Sequence, residues 1–183
     1  RDCLLSRGLG DVYKRQEQMF DMLRKNEVDL IFTLDSHIYD SEFIICAEHK
    51  EEVHFIAAAD HPLLQRNELL LKEICSEDFV LTESNMSYRK LLNHELATQS
   101  LEILPILEIG NPLQICSLIE NSKMISFLPD FITEDAYRNG YIKHLPIADC
   151  DVSVWTQLLI HKNKWRSPAL NAFIDFYREV IGK

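Results

Sequence analysis

The stretch EIGNPLQICSLIENSKMISFLPDF, Glu108 to Phe131, decides the fold. A short apolar strand, Leu104 to Ile109, breaks at Gly110, and Asn111 and Pro112 then open a helix. Asn is a strong helix N-cap because its side-chain oxygen can accept a hydrogen bond from an orphaned amide of the first turn. Pro112 suits the first helical position, where the missing N–H costs nothing. Leu113, Ile115, Cys116, Leu118 and Ile119 continue as an apolar face at helical spacing. A second apolar run, Met124 to Leu128, stops at Pro129. The unit reads as strand, tight turn, helix, strand. In open α/β sheets such turns lie at the carboxyl ends of strands, where ligands bind. A helix N-terminus placed there favours an anion.

The same alternation extends outward. Upstream, a helix over Glu17 to Asn26 buries Met19, Phe20, Met22 and Leu23, and Val28 to Leu34 reads as a buried strand of a parallel sheet. Glu42 to Lys50 and Glu52 to Ala59 read as two more strands, Glu68 to Cys75 as a short helix, Asp78 to Glu83 as a strand, and Tyr88 to Thr98 as a helix. Downstream, DFITEDAYRNG forms a helix closed by Gly140. Tyr141 to Leu145 and Val152 to Ile160 read as strands. The closing helix has Ser167 as N-cap, Pro168 first, and Leu170, Phe173, Ile174, Tyr177 and Ile181 inward. The fold class expected is α/β, with two Rossmann-like lobes joined by a hinge that the chain crosses twice. An inserted lobe spans 60–146, an outer lobe is built from 17–59 and 147–183, and a cleft lies between them.

The chain has 183 residues, 46% hydrophobic and 26% charged, which suits one or two globular domains with a real core. Its net charge of −10 argues against wrapping nucleic acid or an acidic membrane unaided. No run of 18 apolar residues predicts a membrane span. The five cysteines are scattered, form no C-x-x-C pair, and read as reduced thiols of a cytoplasmic protein. Residues 1–16 carry four basic and two acidic side chains, leaving the rest at −12, and lack amphipathic period and signal-peptide character. They read as a non-native or unstructured leader on a fragment.

The order of segments resembles the effector-binding domain of LysR-type transcriptional regulators, whose fold is similar to type 2 periplasmic binding proteins. The residues that carry the resemblance are NEVDLIF, AADHPLL, EIGNPLQICSLIENSKMISFLPDF and VWTQLLIHKNKWRSPALNAFIDF, in order from Glu17 to Ile181. The glycines usual in the family's turn are replaced here by Asn121-Ser122-Lys123-Met124, where Asn121 can take a left-handed conformation. The resemblance implies a winged helix-turn-helix, a linker helix and the first elements of the outer lobe upstream, so the chain reads as N-terminally truncated. It also implies a small-molecule effector, promoter DNA contacted only through that upstream domain, and a homodimer or homotetramer; the two helix starts at Ser84–Ser87 and Asn111-Pro112 add that the metabolite is anionic. The alternative reading is an extracytoplasmic solute-binding protein of the same fold.

Given that fold, Ser84, Asn85, Met86 and Ser87 lie between a strand end and a helix start and are candidates for effector binding, as the equivalent loop is in related proteins. Plain N-capping is the other explanation. Asn111 and Pro112 form a second candidate of the same kind, and Thr33 reaches the cleft from the outer lobe. Ala59, Asp60, His61 and Leu145 mark the hinge, although HPL also reads as a structural turn. Cys116 reads as buried rather than redox-active. Cys46 and His49 fall on opposite strand faces, and His144, His161 and Cys150 make no recognisable ligand set, so no metal site and no cofactor are expected. His161 to Trp165 reads as a solvated turn rather than a nucleic-acid contact. No nucleophile elbow, P-loop or G-x-G-x-x-G occurs, and nothing in the sequence asks for an enzyme.

Overall fold

The computed structural model describes residues 11–181. These divide into two compact units: Glu51–Val154, and the described residues on either side of it. The chain passes from one unit to the other twice, inside strand β2 (Phe43–Ala58) and inside strand β7 (Ser153–His161).

The first unit holds α1 (Asp11–Arg24), β1 (Ile31–Asp35), the start of β2, the end of β7 and α6 (Pro168–Ile181). β1 pairs with β7 antiparallel, from Ile31 opposite Leu159 to Asp35 opposite Trp155, and β2 neighbours β7 on its other side. Leu158 and Ile160 point to one face of β7 and Leu159 to the other, because side chains alternate along a strand. Both faces are covered. Leu23, Ile31, Phe43 and Leu159 form one cluster against Met19 and Phe20 of α1. Cys46, Leu158, Ile160, Leu170 and Ile174 form the other beneath α6. Each such side chain removed from water stabilises the fold by roughly 1.5–3 kcal/mol. Burial on both faces is why β7 reads as a near-continuous apolar run. α6 begins as expected, with Ser167 Oγ accepting from Leu170 N at 3.1 Å, but Phe173 is exposed on it.

The second unit is built on the remainder of β2, which pairs antiparallel with β5 (Ser126–Pro129) and with β6 (Ile142–His144). Beside it, β3 (Val80–Leu81) and β4 (Leu107–Glu108) form a short parallel pair. A parallel bridge from Phe79 to Ile125 and the bond Val80 N to Ile125 O (3.0 Å) tie that pair to the chain entering β5. Around these strands lie α2 (Leu71–Ile74), α3 (Ser87–Thr98), α4 (Pro112–Ile119) and α5 (Asp130–Arg138). The core includes Phe55, Phe79, Leu92, Ile115, Ile119 and Phe127. Gly140 closes α5 at φ +75°, with Gly140 N donating to Tyr137 O and Tyr141 N to Ala136 O, the paired bonds of a Schellman cap.

Several expectations need correction. β1 is antiparallel to its neighbour rather than part of a parallel sheet, because its partner arrives from the far end of the chain and apolar content alone carries no strand direction. The two strands expected over 42–59 are one 16-residue strand, since the charged stretch around Lys50 to Glu52 stays extended. The units therefore divide at 50/51 and 154/155, not at the expected 59/60 and 146/147. Ala59, Asp60, His61 and Leu145 lie inside the second unit. Ala59 N bonds to Tyr141 O and Leu145 N to Phe55 O. His61 is buried, its Nε2 donating to Lys123 O (3.1 Å) while Nδ1 accepts from Leu63 N (3.3 Å). α1 begins at Asp11, so residues 11–16 of the expected leader are helical, and residues 1–10 lie outside the described residues. At 121–124, Met124 N bonds to Ser122 Oγ, and Asn121 is not among the described residues with positive φ.

Candidate functional site

β3 and β4 run parallel, with Val80 opposite Leu107 and Leu81 opposite Glu108, so the loops that follow them leave the same edge. Ile109 N donates to Leu81 O at 3.0 Å and carries the register one residue further. Gly110 then lies against Glu83, since a Cβ there would stand 3.1 Å from Glu83 Oε1. The two loops singled out in the sequence are therefore neighbours.

They differ in how their polar groups are used. Asn111 caps α4, its Oδ1 accepting from Leu113 N at 3.0 Å, with Pro112 following as the first helical residue. Of the expected apolar face of α4, Ile115, Cys116 and Ile119 are buried, whereas Leu113 is exposed beside the cap. The first loop turns tightly, Met86 N donating to Glu83 O at 3.1 Å. The N-cap of α3 is Met86, and no side chain bonds to the helix start. Ser84, Asn85, Met86 and Ser87 are half-buried. Asn85 Nδ2 reaches Glu83 Oε2 at 3.5 Å, while Asn85 Oδ1 is buried without a hydrogen bond.

Behind this loop, Thr82 and Tyr88 are buried at the end of β3 and the start of α3. Neither Thr82 Oγ1 nor Tyr88 OH meets the geometry of a hydrogen bond within the protein, although the Thr82 hydroxyl stands close enough to oppose the rise that burial imposes on the Tyr88 phenol. A buried polar atom left unbonded costs about 1–3 kcal/mol, so a set of them beside one loop marks a place where a ligand or ordered water completes the bonding. The sequence did not single out Thr82 or Tyr88, because a Thr ending an apolar strand and a Tyr opening a helix are both ordinary. Arg89 is buried and its guanidinium is held below its usual range by burial, against the pull of Glu108. It lines a cavity of about 620 Å³ with Asn93, Leu101, Leu104 and Glu108.

The remaining expected site residue, Thr33, is in the first unit. It lies within β1, 3% exposed, and its hydroxyl donates to Gln157 O at 3.4 Å. That bond lies inside the sheet, so the hydroxyl is engaged in the backbone ladder.

Cys116 is buried against α5, its Sγ 4.0 Å from Ile132 O, and burial pushes the thiol up to about 11. Burial, then Glu95 and the flanking carboxylates, push Cys150 up to about 12. Only the thiolate alkylates readily, and a rise of two units leaves roughly a hundredth of the usual thiolate. Iodoacetamide at pH 8 is therefore expected to label Cys116 and Cys150 at least about 100-fold more slowly in the folded protein than in denaturant. Equal rates, read by peptide mass spectrometry, would contradict this burial.

One cluster was not visible in the sequence at all. His54, Asp130 and His144 meet in the second unit, with the His54 and His144 rings stacked at 4.2 Å. The hydrogen bond to Asp130 holds His54 above the ordinary imidazole range. Burial, then the neighbouring His54, hold His144 below it. No spacing motif connects positions 54, 130 and 144; only the strand pairing does.

These two units, each a mixed α/β sheet with helices, crossed twice by the chain, have the fold of type 2 periplasmic-binding-protein-like effector domains. The family model of the LysR substrate binding domain matches residues 13–182, and the chain belongs to that family. It is 32% identical over 175 residues to the uncharacterized HTH-type transcriptional regulator YwqM of Bacillus subtilis (strain 168), covering 92% of this chain and 57% of that protein. Among solved structures, it is similar to the CcmR regulatory domain of Synechocystis PCC6803 in complex with 2-PG (TM-score 0.72, 19% identity, covering 90% of this chain and 79% of that one). It is similar also to the effector binding domain of QuiR in complex with shikimate (TM-score 0.68, 18% identity, covering 91% and 78%). The chain spans about half the length of the curated relatives it matches, which are HTH-type transcriptional regulators. No helix among the described residues is long and apolar enough to cross a membrane.

Proposed function

We propose that this chain is the effector-sensing domain of a LysR-type transcriptional regulator, and that it holds a small anionic metabolite at the loops following β3 and β4. The observation that carries the reading is the unused bonding capacity of the first loop. The α3 start has no side-chain cap, and Asn85 Oδ1 and Thr82 Oγ1 are buried without partners. Free amides at a helix start attract an anion, by roughly 0.3–1 kcal/mol when exposed and more when partly buried. The Ser84 and Ser87 hydroxyls can add donors, and Thr82 and Asn85 can meet a ligand's own hydroxyl. The small molecules named with the CcmR and QuiR domains fit this class. In the whole regulator, the effector would act by binding one arrangement of the domain better than another, since only differential affinity shifts a population. DNA binding would rest with a helix-turn-helix of the kind named in the relatives, in a dimer or tetramer.

The test is a thermal-shift and calorimetric screen of small carboxylates and phosphates, with 2-PG and shikimate included, against the whole protein. The ligand found is expected to bind at least about 10-fold more weakly to Ser84→Ala/Ser87→Ala, the loss of two hydrogen bonds at about 1 kcal/mol each. Asn111→Ala is expected instead to cost stability, about 0.5–2 kcal/mol, because its side chain is already spent on the cap. A ligand whose affinity ignores the double substitution removes the loop from the site, and a barren screen counts against an anionic effector.

A further inference from the structure

We propose that His54, Asp130 and His144 form a binding site for a divalent transition-metal cation of the zinc, cobalt and nickel type. The site uses none of the effector-loop residues and does not depend on the effector reading.

Strand register builds it. β2 pairs with β6 so that His144 stands opposite Ile56, and with β5 so that Val53 stands opposite Pro129. His54 and Ile56 share a face, two residues apart on one strand. His144, opposite Ile56, joins that face as the diagonal neighbour of His54. Asp130 follows Pro129 directly and opens α5, which brings its carboxylate over the same place. Three separate elements thus deliver two imidazoles and one carboxylate.

The distances suit an ion. His54 Nδ1 donates to Asp130 Oδ1 at 2.7 Å, His144 Nε2 stands 3.6 Å from the same oxygen, and the three ligand atoms all lie within 4.8 Å of one another. Tetrahedral zinc with bonds of about 2.0–2.2 Å keeps its ligand atoms roughly 3.3–3.6 Å apart. The His144 to Asp130 separation is already in that range. The His54 to Asp130 pair needs to open by less than about 1 Å as the cation replaces the proton they share, which passes to solvent or to the far ring nitrogen. His144 Nε2 is buried, makes no hydrogen bond, and faces the carboxylate. In the tautomer protonated at Nδ1, the Nε2 lone pair faces an anion, which is unfavourable alone and favourable once a cation stands between them. The near-parallel rings, 13° apart, hold both imidazoles within reach, and one ring must turn for their lone pairs to converge. The Tyr137 ring also lies against His144, at 4.5 Å.

The surroundings favour a cation of this class. Two nitrogens and one oxygen suit zinc, cobalt and nickel, whereas calcium and magnesium want oxygen ligands. A cavity of about 480 Å³ opens beside the cluster, lined by Asp130, Glu134, Tyr137, His144 and Glu51. It leaves room for a water or a further carboxylate in the fourth position.

The experiment titrates Zn²⁺ into the chelator-treated whole protein by calorimetry and records the visible spectrum with Co²⁺. One equivalent is expected to bind, with the intense bands of a tetrahedral cobalt site. Removing a mere outer partner of a metal ligand costs about 10–100-fold in affinity. His54→Ala and His144→Ala should therefore each cost at least about 100-fold, and His94→Ala, at an exposed histidine elsewhere, should cost nothing. Asp130→Asn keeps the side-chain shape and should weaken binding without unfolding. Should a histidine variant fail to fold, paramagnetic broadening by Co²⁺ in the unsubstituted protein answers instead, since it must centre on the His54 and His144 rings. Absence of one-equivalent binding, affinity unchanged in the histidine variants, or broadening centred elsewhere overturns the proposal and leaves a packed His–Asp–His stack.

Discussion

Phe127→Ala is expected to destabilise the protein by about 3–5 kcal/mol, the usual cost of truncating a fully buried aromatic. Phe127 is 1% exposed in β5 and stands opposite Phe55 of β2. Their rings lie 4.7 Å apart, and Phe55 meets Phe79 edge-on at 6.2 Å. Phe79 immediately precedes β3, so the cavity left by Phe127 lies beside a ring that supports the strand leading into the loop 82–87. Small domains hold only about 5–15 kcal/mol in total, and the loss should lower the melting temperature by roughly 6–20 °C for a chain of this size. Hydrogen exchange should quicken at residues 80–87 as well as in β5. A melting temperature within a degree or two of the unsubstituted protein would mean that the three rings do not form one packed core.

Gln157→Leu is expected to cost about 2–3 kcal/mol, although it places an apolar side chain of similar size in a core strand. Gln157 is fully buried in β7. Its Oε1 accepts from Ile38 N at 2.8 Å, and its Nε2 donates to Glu48 Oε2 at 3.3 Å. His37 Nε2 donates to that same oxygen at 2.7 Å. Leucine would strand the half-buried Ile38 amide, which donates to this side chain, and a donor withdrawn from water without an acceptor carries a penalty for its lost hydration. The signature is a lower denaturant midpoint together with faster exchange at the Ile38 amide. A midpoint equal to or above that of the unsubstituted protein would show that the segment after β1 finds other partners.

How much of this was legible beforehand follows from the range of the forces involved. Asn111, Pro112, Ser167, Pro168 and Gly140 each act on amides or dihedral angles within a few residues, and all five sit where the sequence placed them. Most of the element order follows in the same way from local periodicity, and the order is what carried the resemblance to the LysR effector domain, which the family match bears out. The parallel β3–β4 pair is written in neither apolar run and came from the structure.

What the tertiary structure alone decided was everything that depends on who stands next to whom. Thr33 was expected to offer its hydroxyl to a ligand, but a neighbouring strand supplies Gln157 O as its partner. Asn85 and Asn111 looked equivalent as helix starts, yet one caps and the other leaves a buried oxygen unbonded. Glu42 to Lys50 and Glu52 to Ala59 looked like two strands, but β2 runs extended through the charged residues between them. His54, Asp130 and His144 are separated by 76 and 14 residues and meet only because β2 pairs with both β5 and β6. Caps, turns and helical faces are written in short-range chemistry, which one chain of letters displays. Strand direction, buried polar partners and ligand clusters arise from long-range register, whose free energy is shared among residues that no local pattern connects.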